Sequence, residues 1–548
     1  MGTNVHRLEH QLCAFELCPL IMVPKSESRK QGLAPQGAPR AVRNVVSNWG
    51  AYVISMGVNF FVSPYVVGHL GNVGYGVWTL ILSLTGYLGL LDLGVRGAVT
   101  RYVAKFHSEA NHEKSSEVAS SAMVIFGSAG LIAVLLSLVF AFFVVDHLHV
   151  PPQYLTAARV VLFLTGLNIA TSLVNGVYGG ILVGLQRFDL TNGIEITINL
   201  LRAASVVTAL HFGRGIIALA IIQLVFTLGR WAANIAMARR FYPELRIRLH
   251  TANRAGIKLI FSFSVFSFLL HVSGSLIYAS DNIVIGAYLP VAMVTFYVIG
   301  GNLVEYARTL VQGISQTLTP MASSLETRND AEQVQNLVLQ AGRWSSMVIL
   351  PVTCTFLLRG SSFIGLWMGQ QYADLSGEVL WILSLTVMFW GANCSVAGIM
   401  LGLGKHKPIV PAMVTEGLCN LALSIYLVRK IGVVGVAWGT AIPSIATSLI
   451  FWPWYIHRTL KIQPMPYMLS VWIRPWFSLI PFMAATYVIE RFWRARNLVE
   501  FFSQVALVLP LALLGYWFVC LEREQRESIS RKLPHTLGRL TGAVSPKT

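Results

Sequence analysis

Runs of about twenty apolar residues recur along nearly the whole chain, and no other feature limits its fold as strongly. Each run is long enough to cross the hydrocarbon core of a bilayer as a helix. Because no water is present there, the backbone of a spanning segment must satisfy its own hydrogen bonds, which a helix does. The sequence therefore predicts an all-α polytopic membrane protein.

Composition agrees with this fold class. Of 548 residues, 55% are hydrophobic and only 12% are charged, with a mean hydropathy of +0.62, whereas a soluble domain carries about 25% charged residues. The net charge of +17 would suit nucleic acid, but the lysines and arginines lie in short loops between apolar runs. Membrane topology and anionic lipids explain them better, so no nucleic-acid partner is predicted.

No cofactor or metal site is predicted either. The sequence has six cysteines, but no CxxC pair and no spacing typical of metal ligands. The four that lie in apolar runs are interpreted as small reduced residues. The sequence also lacks a GxxxxGK[ST] phosphate loop, so the chain itself is not expected to hydrolyse ATP.

Fourteen spans are predicted along the chain. Their approximate limits are 44–68, 76–95, 118–145, 156–183, 191–211, 215–238, 259–287, 292–317, 341–368, 376–402, 409–429, 432–456, 468–490 and 500–521. The corresponding division is a disordered cytoplasmic leader (1–43), an N-terminal six-helix lobe (44–240), a basic cytoplasmic linker (241–258), a C-terminal six-helix lobe (259–457), two additional transmembrane helices (458–521) and a cytoplasmic tail (522–548). Met22 is an alternative start of translation.

The lysines and arginines predict the orientation. Loops on the side of the N-terminus carry about 17 of these residues, and the opposite loops carry about 7. Because short cytoplasmic loops are enriched in positive charge, both termini are expected in the cytoplasm.

The two halves of the chain repeat. A shift of 219 residues places GYGVWTLI (74–81) on MVTFYVIG (293–300), and a shift of 218 places GLQR (184–187) on GLGK (402–405). Each repeat contains six spans, an even number, so both halves keep the same orientation. Two parallel lobes with a cleft between them would suit alternating access.

The stretch LLDLGVRGAVTRYVAKF, residues 90–106, combines the end of a long apolar run with several charges. Asp92 and Arg96 are four residues apart and can pair on one helix face. Together with Trp78 and the sequence up to Arg101, this stretch resembles the second-span signature of polysaccharide-biosynthesis flippases. These form the oligosaccharide and polysaccharide export branch of the MOP superfamily, which also includes MATE drug exporters.

Two further segments carry the same resemblance, and it extends over about residues 44–460. They are GLQRFDLTN (184–192) and DNIVIGAYLP (281–290). The resemblance implies a V-shaped, two-lobed transporter of the cytoplasmic membrane. It also implies that the substrate is an undecaprenyl-pyrophosphate oligosaccharide, moved outward during polysaccharide biosynthesis.

Several charged residues are candidates for a role in such transport. Arg96 and Arg101 lie where the second span reaches the cytoplasm, and a guanidinium group binds phosphate oxygens in pairs. They could capture the pyrophosphate, or simply anchor the helix. Asp92 is a candidate for ion coupling.

Charges deeper in the spans are costly unless they face protein or water. Arg308 and Arg202 are therefore candidates for substrate binding, and Glu305 and Glu195 for ion coupling. Each pair could instead be a structural ion pair. His271 is more simply an interhelical hydrogen-bonding residue than a proton site.

Three other functions remain open. A MATE-like exporter of organic cations would need an acidic lining, and a lipid II flippase is weakened by a first span without charge between Asn48 and His69. A membrane enzyme such as a polymerase or ligase would need a larger loop than this sequence offers. The expected partners are the lipid-linked oligosaccharide, membrane lipids and the polymerase and glycosyltransferases of the pathway.

Overall fold

The computed structural model describes residues 38–326, 330–405, 407–523, 525–527 and 530. Their secondary structure is helical, and no strand occurs among them, so the predicted all-α fold class is confirmed. Most of the predicted leader and most of the predicted tail lie outside the described residues. The first helix begins at Ala38, six residues before the predicted first span.

Six helices form the N-terminal half: α1 (Ala38–Gly86), α2 (Val95–Ser108), α3 (His112–Val139), α4 (Pro152–Gly184), α5 (Phe188–His211) and α6 (Ile216–Phe241). Seven form the C-terminal half: α7 (Arg254–Tyr278), α8 (Ser280–Tyr288), α9 (Ala292–Glu326), α10 (Ala331–Trp367), α11 (Ala373–Gly402), α12 (Ile409–Ala446) and α13 (Trp452–Leu460). The last segment contains α14 (Pro464–Met468), α15 (Arg474–Ser478), α16 (Ile480–Phe492) and α17 (Leu498–Val519).

Short polar residues set several helix starts. Asn111, Asn253, Asp330 and Asn497 each precede a helix, and the side chain of each accepts a hydrogen bond from a backbone N–H three residues later, at 2.7–3.0 Å. The first N–H groups of a helix have no partner within it, so this arrangement satisfies one of them. These caps fix where α3, α7, α10 and α17 leave their loops.

The helices are consistent with fourteen spans. Ten helical segments among the described residues are long and apolar enough to cross a membrane. Two of these contain two predicted spans each, separated by glycines with positive φ, Gly71 (67°) and Gly432 (65°). The other two predicted spans fall on α7 to α9.

The two halves use the same helix contacts, as their sequence repeat predicts. In the N-terminal half α3 packs on α4 and α1 packs on α5; in the C-terminal half α10 packs on α11 and α7 packs on α12. These are the third with the fourth and the first with the fifth member of each repeat. This pattern of contacts is consistent with two parallel lobes followed by an additional pair of spans.

The hydrophobic core is shared at one end of the molecule and divided at the other. A single cluster holds residues from both lobes around the turns at Gly71 and Gly432. At the opposite end, one separate cluster lies in the N-terminal lobe, with Ile260 of α7, and another in the C-terminal half. We call the end with the shared cluster the Gly71 end, and the opposite end, with the two separate clusters, the Asn111 end. The lobes are joined at the Gly71 end and have independent cores at the Asn111 end.

Hydrogen bonds between the lobes reinforce the Gly71 end. Asn72 accepts a bond from Thr295 Oγ1 at its carbonyl oxygen (2.7 Å) and one from the Tyr372 hydroxyl at its side chain. Asn282 donates to Ser83 Oγ at 2.9 Å. These contacts join the start of the second span to α8, α9 and the segment before α11.

Candidate functional site

Arg308 is buried on α9, with 6% of the residue exposed. Its Nη1 lies 3.7 Å from Oε2 of Glu305, one turn earlier, and the Glu305 side chain is 57% exposed. The guanidinium also lies 5.7 Å from the ring centroid of Trp390 on α11. A long ion pair with an exposed acid contributes little to stability, and a ring at this distance from a guanidinium adds a cation–π attraction.

Asp281, the second residue of α8, is a buried carboxylate inside the C-terminal lobe, only 2% exposed. Its Oδ2 accepts hydrogen bonds from the Tyr297 hydroxyl and from Thr440 Oγ1, the latter at 2.8 Å. Its Oδ1 has no hydrogen-bond partner among the described residues. Since an ionised carboxylate is costly at a buried site, this group is suited to hold a proton or a small cation bound by oxygen atoms.

A polar network extends from Asp281 across the lobe. Asn420 on α12 is fully buried and donates to the Ile277 carbonyl and to Thr440 Oγ1, both at 3.1 Å. Ser424 Oγ donates to Asn420 Oδ1 at 3.3 Å. The network therefore connects α7, α8 and both arms of α12, so that a charge change at Asp281 would act on all of them.

The N-terminal lobe has its own charged cluster, formed by Glu195, Asn199 and Arg202 of α5, Arg230 of α6 and Ser55 of α1. Arg230 Nη1 donates to Glu195 Oε2 at 3.0 Å, and Arg202 Nη2 donates to Asn199 Oδ1 at 3.0 Å. Asn199 Nδ2 donates to Ser55 Oγ at 3.0 Å and to Glu195 Oε1 at 3.4 Å. Three helices of this lobe thus meet at a site that contains two cations and one acid.

Comparison with known families decides which class of protein contains these clusters. The profile of the family described as "Polysaccharide biosynthesis protein" matches residues 41–326, more than half of the chain. The chain belongs to the polysaccharide biosynthesis protein family. The resemblance identified in the sequence is confirmed.

Curated relatives of this polysaccharide biosynthesis protein cover most of its length. The "Putative O-antigen transporter" of Shigella flexneri is 22% identical over 424 residues, which is 77% of this chain and 99% of that protein. The "Probable low-salt glycan biosynthesis flippase Agl15" of Haloferax volcanii is 20% identical over 424 residues, 77% of this chain and 84% of that protein.

Solved structures show the same fold. The lipid II flippase MurJ in an inward closed conformation aligns with a TM-score of 0.69 and 16% identity over 86% of this chain and 98% of that one. An inward-facing MATE multidrug transporter of the MOP superfamily aligns with a TM-score of 0.63 and 15% identity over 76% and 99%. This polysaccharide biosynthesis protein therefore has the MOP transporter fold.

The LDLG signature of this family member forms a break in the second span. The α-helix gives way to a tighter 3₁₀ turn over Tyr87–Asp92, and Leu93 and Gly94 then adopt left-handed conformations, with φ of 51° and 76°. Glycine adopts such a conformation without steric cost. The chain then restarts as α2 at Val95, which separates the membrane part of the span from its charged end.

The charged end of this span is exposed. Arg96 Nε lies 3.5 Å from Asp92 Oδ2, with side-chain exposures of 54% and 17%. Arg101 is exposed as well, and its guanidinium lies 5.9 Å from the ring centroid of Tyr102. The Asp92–Arg96 pair forms as its spacing predicts, and both arginines are accessible at the Asn111 end.

The contacts of Glu195 and Arg202 differ from those that their spacing on one helix suggested. Glu195 and Arg202 are linked through Asn199, while the ion pair of Glu195 is with Arg230. Sequence reasoning missed Arg230, although an arginine inside an apolar run is itself a signal. It assigned no role to Asp281, the first residue of the DNIVIGAYLP segment, because only the fold brings Tyr297 and Thr440 to it.

Proposed function

We propose that this protein is a flippase that moves an undecaprenyl-pyrophosphate-linked oligosaccharide outward across the cytoplasmic membrane by alternating access. The observation that carries this proposal is the presence of interior guanidinium groups in both lobes, at Arg308 and at the cluster containing Arg202. A pyrophosphate is the part of such a lipid that these groups would bind, because guanidinium donors match phosphate oxygens in pairs. An exporter of organic cations would need acids at the same depth.

The charge of the loops supports an orientation. The connections at the Asn111 end are those with the excess of lysine and arginine, so this end would face the cytoplasm, together with both termini. The divided cores would then leave the cleft accessible from the cytoplasm, where the lipid-linked substrate is made. The Gly71 end would be the closed outer side.

The charged residues supply successive steps of a transport path. Arg96 and Arg101 would meet the pyrophosphate at the cytoplasmic leaflet, and Arg308 and Arg202 would bind it between the lobes. Closure of the Asn111 end and opening of the Gly71 end would then release the substrate on the outer side.

Transport in this direction would be driven by an ion gradient or by the membrane potential. Glu305, Glu195 and Asp92 were predicted from sequence as coupling acids, and the geometry adds Asp281. Uptake of a proton or a small cation at Asp281 would alter the bonds of Tyr297 and Thr440, and through them the packing of α8, α9 and α12.

The proposal places the protein among the membrane steps of polysaccharide assembly. It would act after the glycosyltransferases that build the lipid-linked oligosaccharide and before a polymerase on the outer side. The protein would itself be a transporter rather than an enzyme.

Deletion of the gene in the native host tests the proposal. We expect loss of the surface polysaccharide and accumulation of lipid-linked oligosaccharide that sugar-cleaving enzymes added outside spheroplasts cannot reach. Re-expression of the chain should reverse both effects. Accumulation on the outer face would instead indicate a polymerase or ligase, and an unchanged surface polysaccharide would contradict the proposed function.

A further inference from the structure

We infer that Glu195 occupies, in the empty protein, the position of an anionic group of the substrate, and that Arg230 is a second head-group ligand beside Arg202. This inference rests on the flippase function proposed above. It assigns a binding role to a residue that spacing alone did not single out, and a placeholder role to a carboxylate that the sequence suggested for ion coupling.

The bonds of Glu195 are those that a phosphate would make. One carboxylate oxygen accepts from Arg230 Nη1 at 3.0 Å, and the other accepts from Asn199 Nδ2 at 3.4 Å. Asn199 in turn orients Arg202 by accepting from its Nη2 at 3.0 Å. The acid thus holds both guanidinium groups toward one place, one directly and one through an amide.

The cluster has an excess of one positive charge. Arg202 and Arg230 contribute two positive charges and Glu195 one negative charge, and Arg202 makes no ion pair within the described residues. The Nε of Arg230 is buried and has no hydrogen-bond partner among those residues. A cation without a counter-charge inside a span is costly, so an anion bound at this site would supply the missing negative charge.

The site is partly exposed. The side chains of Arg230 and Glu195 are 29% and 40% exposed, and Glu195 is therefore free to turn away when a stronger anion arrives. A pyrophosphate carries more negative charge than one carboxylate and has oxygens on two phosphorus atoms, so it can take one guanidinium on each.

The other lobe shows that the fold does not need a cation here. The repeat places Arg202 on Asn420 with an offset of 218, and Asn420 is a neutral, fully buried residue whose amide bonds to Ile277 and Thr440. An asparagine therefore suffices to join helices at this position. The arginine of the N-terminal lobe adds charge that packing does not require.

Equilibrium binding of farnesyl pyrophosphate to the full-length protein in nanodiscs tests the inference. We expect Arg230→Gln to weaken binding roughly tenfold or more, as loss of a charged hydrogen bond does. The affinity of Arg230→Lys should lie between those of the wild type and Arg230→Gln, since lysine keeps the charge but lacks the paired donors of a guanidinium group. Glu195→Gln should bind at least as tightly as the wild type, because the competing carboxylate is gone.

The double variant Glu195→Gln/Arg230→Gln separates binding from a structural pair. If Arg230 binds the ligand, the double variant should bind farnesyl pyrophosphate as weakly as Arg230→Gln does. If the pair is purely structural, the double variant should recover both affinity and thermal stability. Arg159→Gln is the matched control. Arg159 also forms a partly exposed ion pair, 2.9 Å from Asp146, and also has a buried Nε without a partner among the described residues.

The outcomes distinguish this inference from the proposed function. Wild-type binding and export together with unchanged affinity in Arg230→Gln would overturn the inference and leave the flippase function standing. Weaker binding in Glu195→Gln would overturn the placeholder role. A wild-type protein that restores export in the deletion strain but shows no affinity for the pyrophosphate would also overturn the inference, and failure to restore export would remove the function on which it rests.

Discussion

Individual charged side chains inside the spans have different environments, and these suggest different roles. Arg308 is buried near Trp390 and forms a long ion pair with the exposed Glu305. Asp281 is enclosed by hydroxyl groups and has one oxygen without a partner among the described residues. We expect Arg308 to contribute positive charge to substrate binding and Asp281 to change its charge during transport.

Substitutions at Arg308 and Glu305 test the first role. We expect Arg308→Gln to abolish export while the protein remains folded in the membrane, because Gln stays polar without the charge. Arg308→Lys should also export poorly, because an ammonium group lacks the paired donors of a guanidinium group. Glu305→Gln should be milder, since its side chain is 57% exposed. The assay is complementation of the surface polysaccharide alongside membrane abundance.

The double variant Glu305→Gln/Arg308→Gln provides the check on this prediction. If the two residues form only a packing pair, each single change leaves a charge uncompensated and lowers abundance, and the double change recovers much of the loss. Recovery of both abundance and export by the double variant would contradict substrate binding by Arg308.

Replacement of Asp281 tests the second role. Asp281→Asn keeps the shape and can still bond to Tyr297 and Thr440, so we expect a folded protein that no longer responds to an ion gradient. The measurement is the rate of lipid flipping in proteoliposomes with and without an imposed proton or sodium gradient. Asp146→Asn, at an exposed ion pair with Arg159, is the control. Gradient-dependent flipping by Asp281→Asn at the wild-type level would rule out coupling at this residue.

At the scale of the helices, the added pair α16 and α17 is held to α10 by a buried ion pair. Arg359, with 1% of its side chain exposed, lies 2.8 Å from Glu490 Oε2 of α16. Its guanidinium lies 4.4 Å from the ring centroid of Phe501 on α17. Further hydrogen bonds join these helices to α10, because Ser362 Oγ donates to Glu490 and Arg359 Nη2 donates to Gln504 Oε1 of α17.

We expect Glu490→Gln to lower the free energy of unfolding by roughly 3–5 kcal/mol, because it leaves the Arg359 charge buried without its partner. Arg494→Gln removes the second ion-pair partner of Glu490. Because the Arg494 side chain is 72% exposed, this change should cost less than about 1 kcal/mol. Thermal unfolding in detergent measures both. Equal effects of the two variants would show that the buried pair does not dock these helices.

The contact between the second span and the turn from α8 to α9 needs a glycine. A Cβ at Gly76 would overlap the carbonyl oxygen of Val291 and lie 3.3 Å from Thr295 Oγ1. At Gly68 of the same helix, a Cβ would meet nothing within 4 Å. Closure at the Gly71 end therefore depends on Gly76 in particular.

Gly76→Ala should shift the protein away from the state closed at the Gly71 end. Cross-linking by a bifunctional maleimide between cysteines introduced at Asn72 and Tyr372, whose side chains are hydrogen-bonded, measures this in a variant without native cysteines. We expect a clear fall in yield for Gly76→Ala and none for Gly68→Ala. An unchanged yield in Gly76→Ala would mean that the end closes without this contact.

For the molecule as a whole, the shared core at one end and the separate cores at the other would correspond to one state of the proposed alternating-access cycle. In that cycle the lobes would part at the Gly71 end, where the hydrogen bonds of Asn72 and Asn282 join them, and would meet at the Asn111 end. Ile260 of α7 belongs to the core of the N-terminal lobe, while the Ile277 carbonyl bonds to Asn420 in the C-terminal lobe. This helix would therefore move with both lobes.

Topology is the prediction that belongs to this scale. Reporter fusions after Arg254 and after Arg531 should both give cytoplasmic signals, because the Asn111 end carries the positive loops. A periplasmic signal at Arg531 with a cytoplasmic one at Arg254 would show an odd number of spans in the second half. Periplasmic signals at both would invert the proposed orientation.

Much of the fold was determined by the sequence alone, because spanning helices are local structures. Their existence follows from apolar length, and the parallel lobes follow from a repeat with an even number of spans. The pairs Asp92–Arg96 and Glu305–Arg308 also follow from spacing on one helix, since residues three or four apart share a face.

Tertiary structure decided which distant side chains meet. Arg230 reaches Glu195 from 35 residues away, and Thr440 reaches Asp281 from 159 residues away. The periodicity of one helix cannot indicate the rotation of its neighbour, so neither contact could be predicted from spacing. The closed end was likewise beyond sequence reasoning, because the two ends of the cleft alternate in the proposed cycle and both states use the same helices.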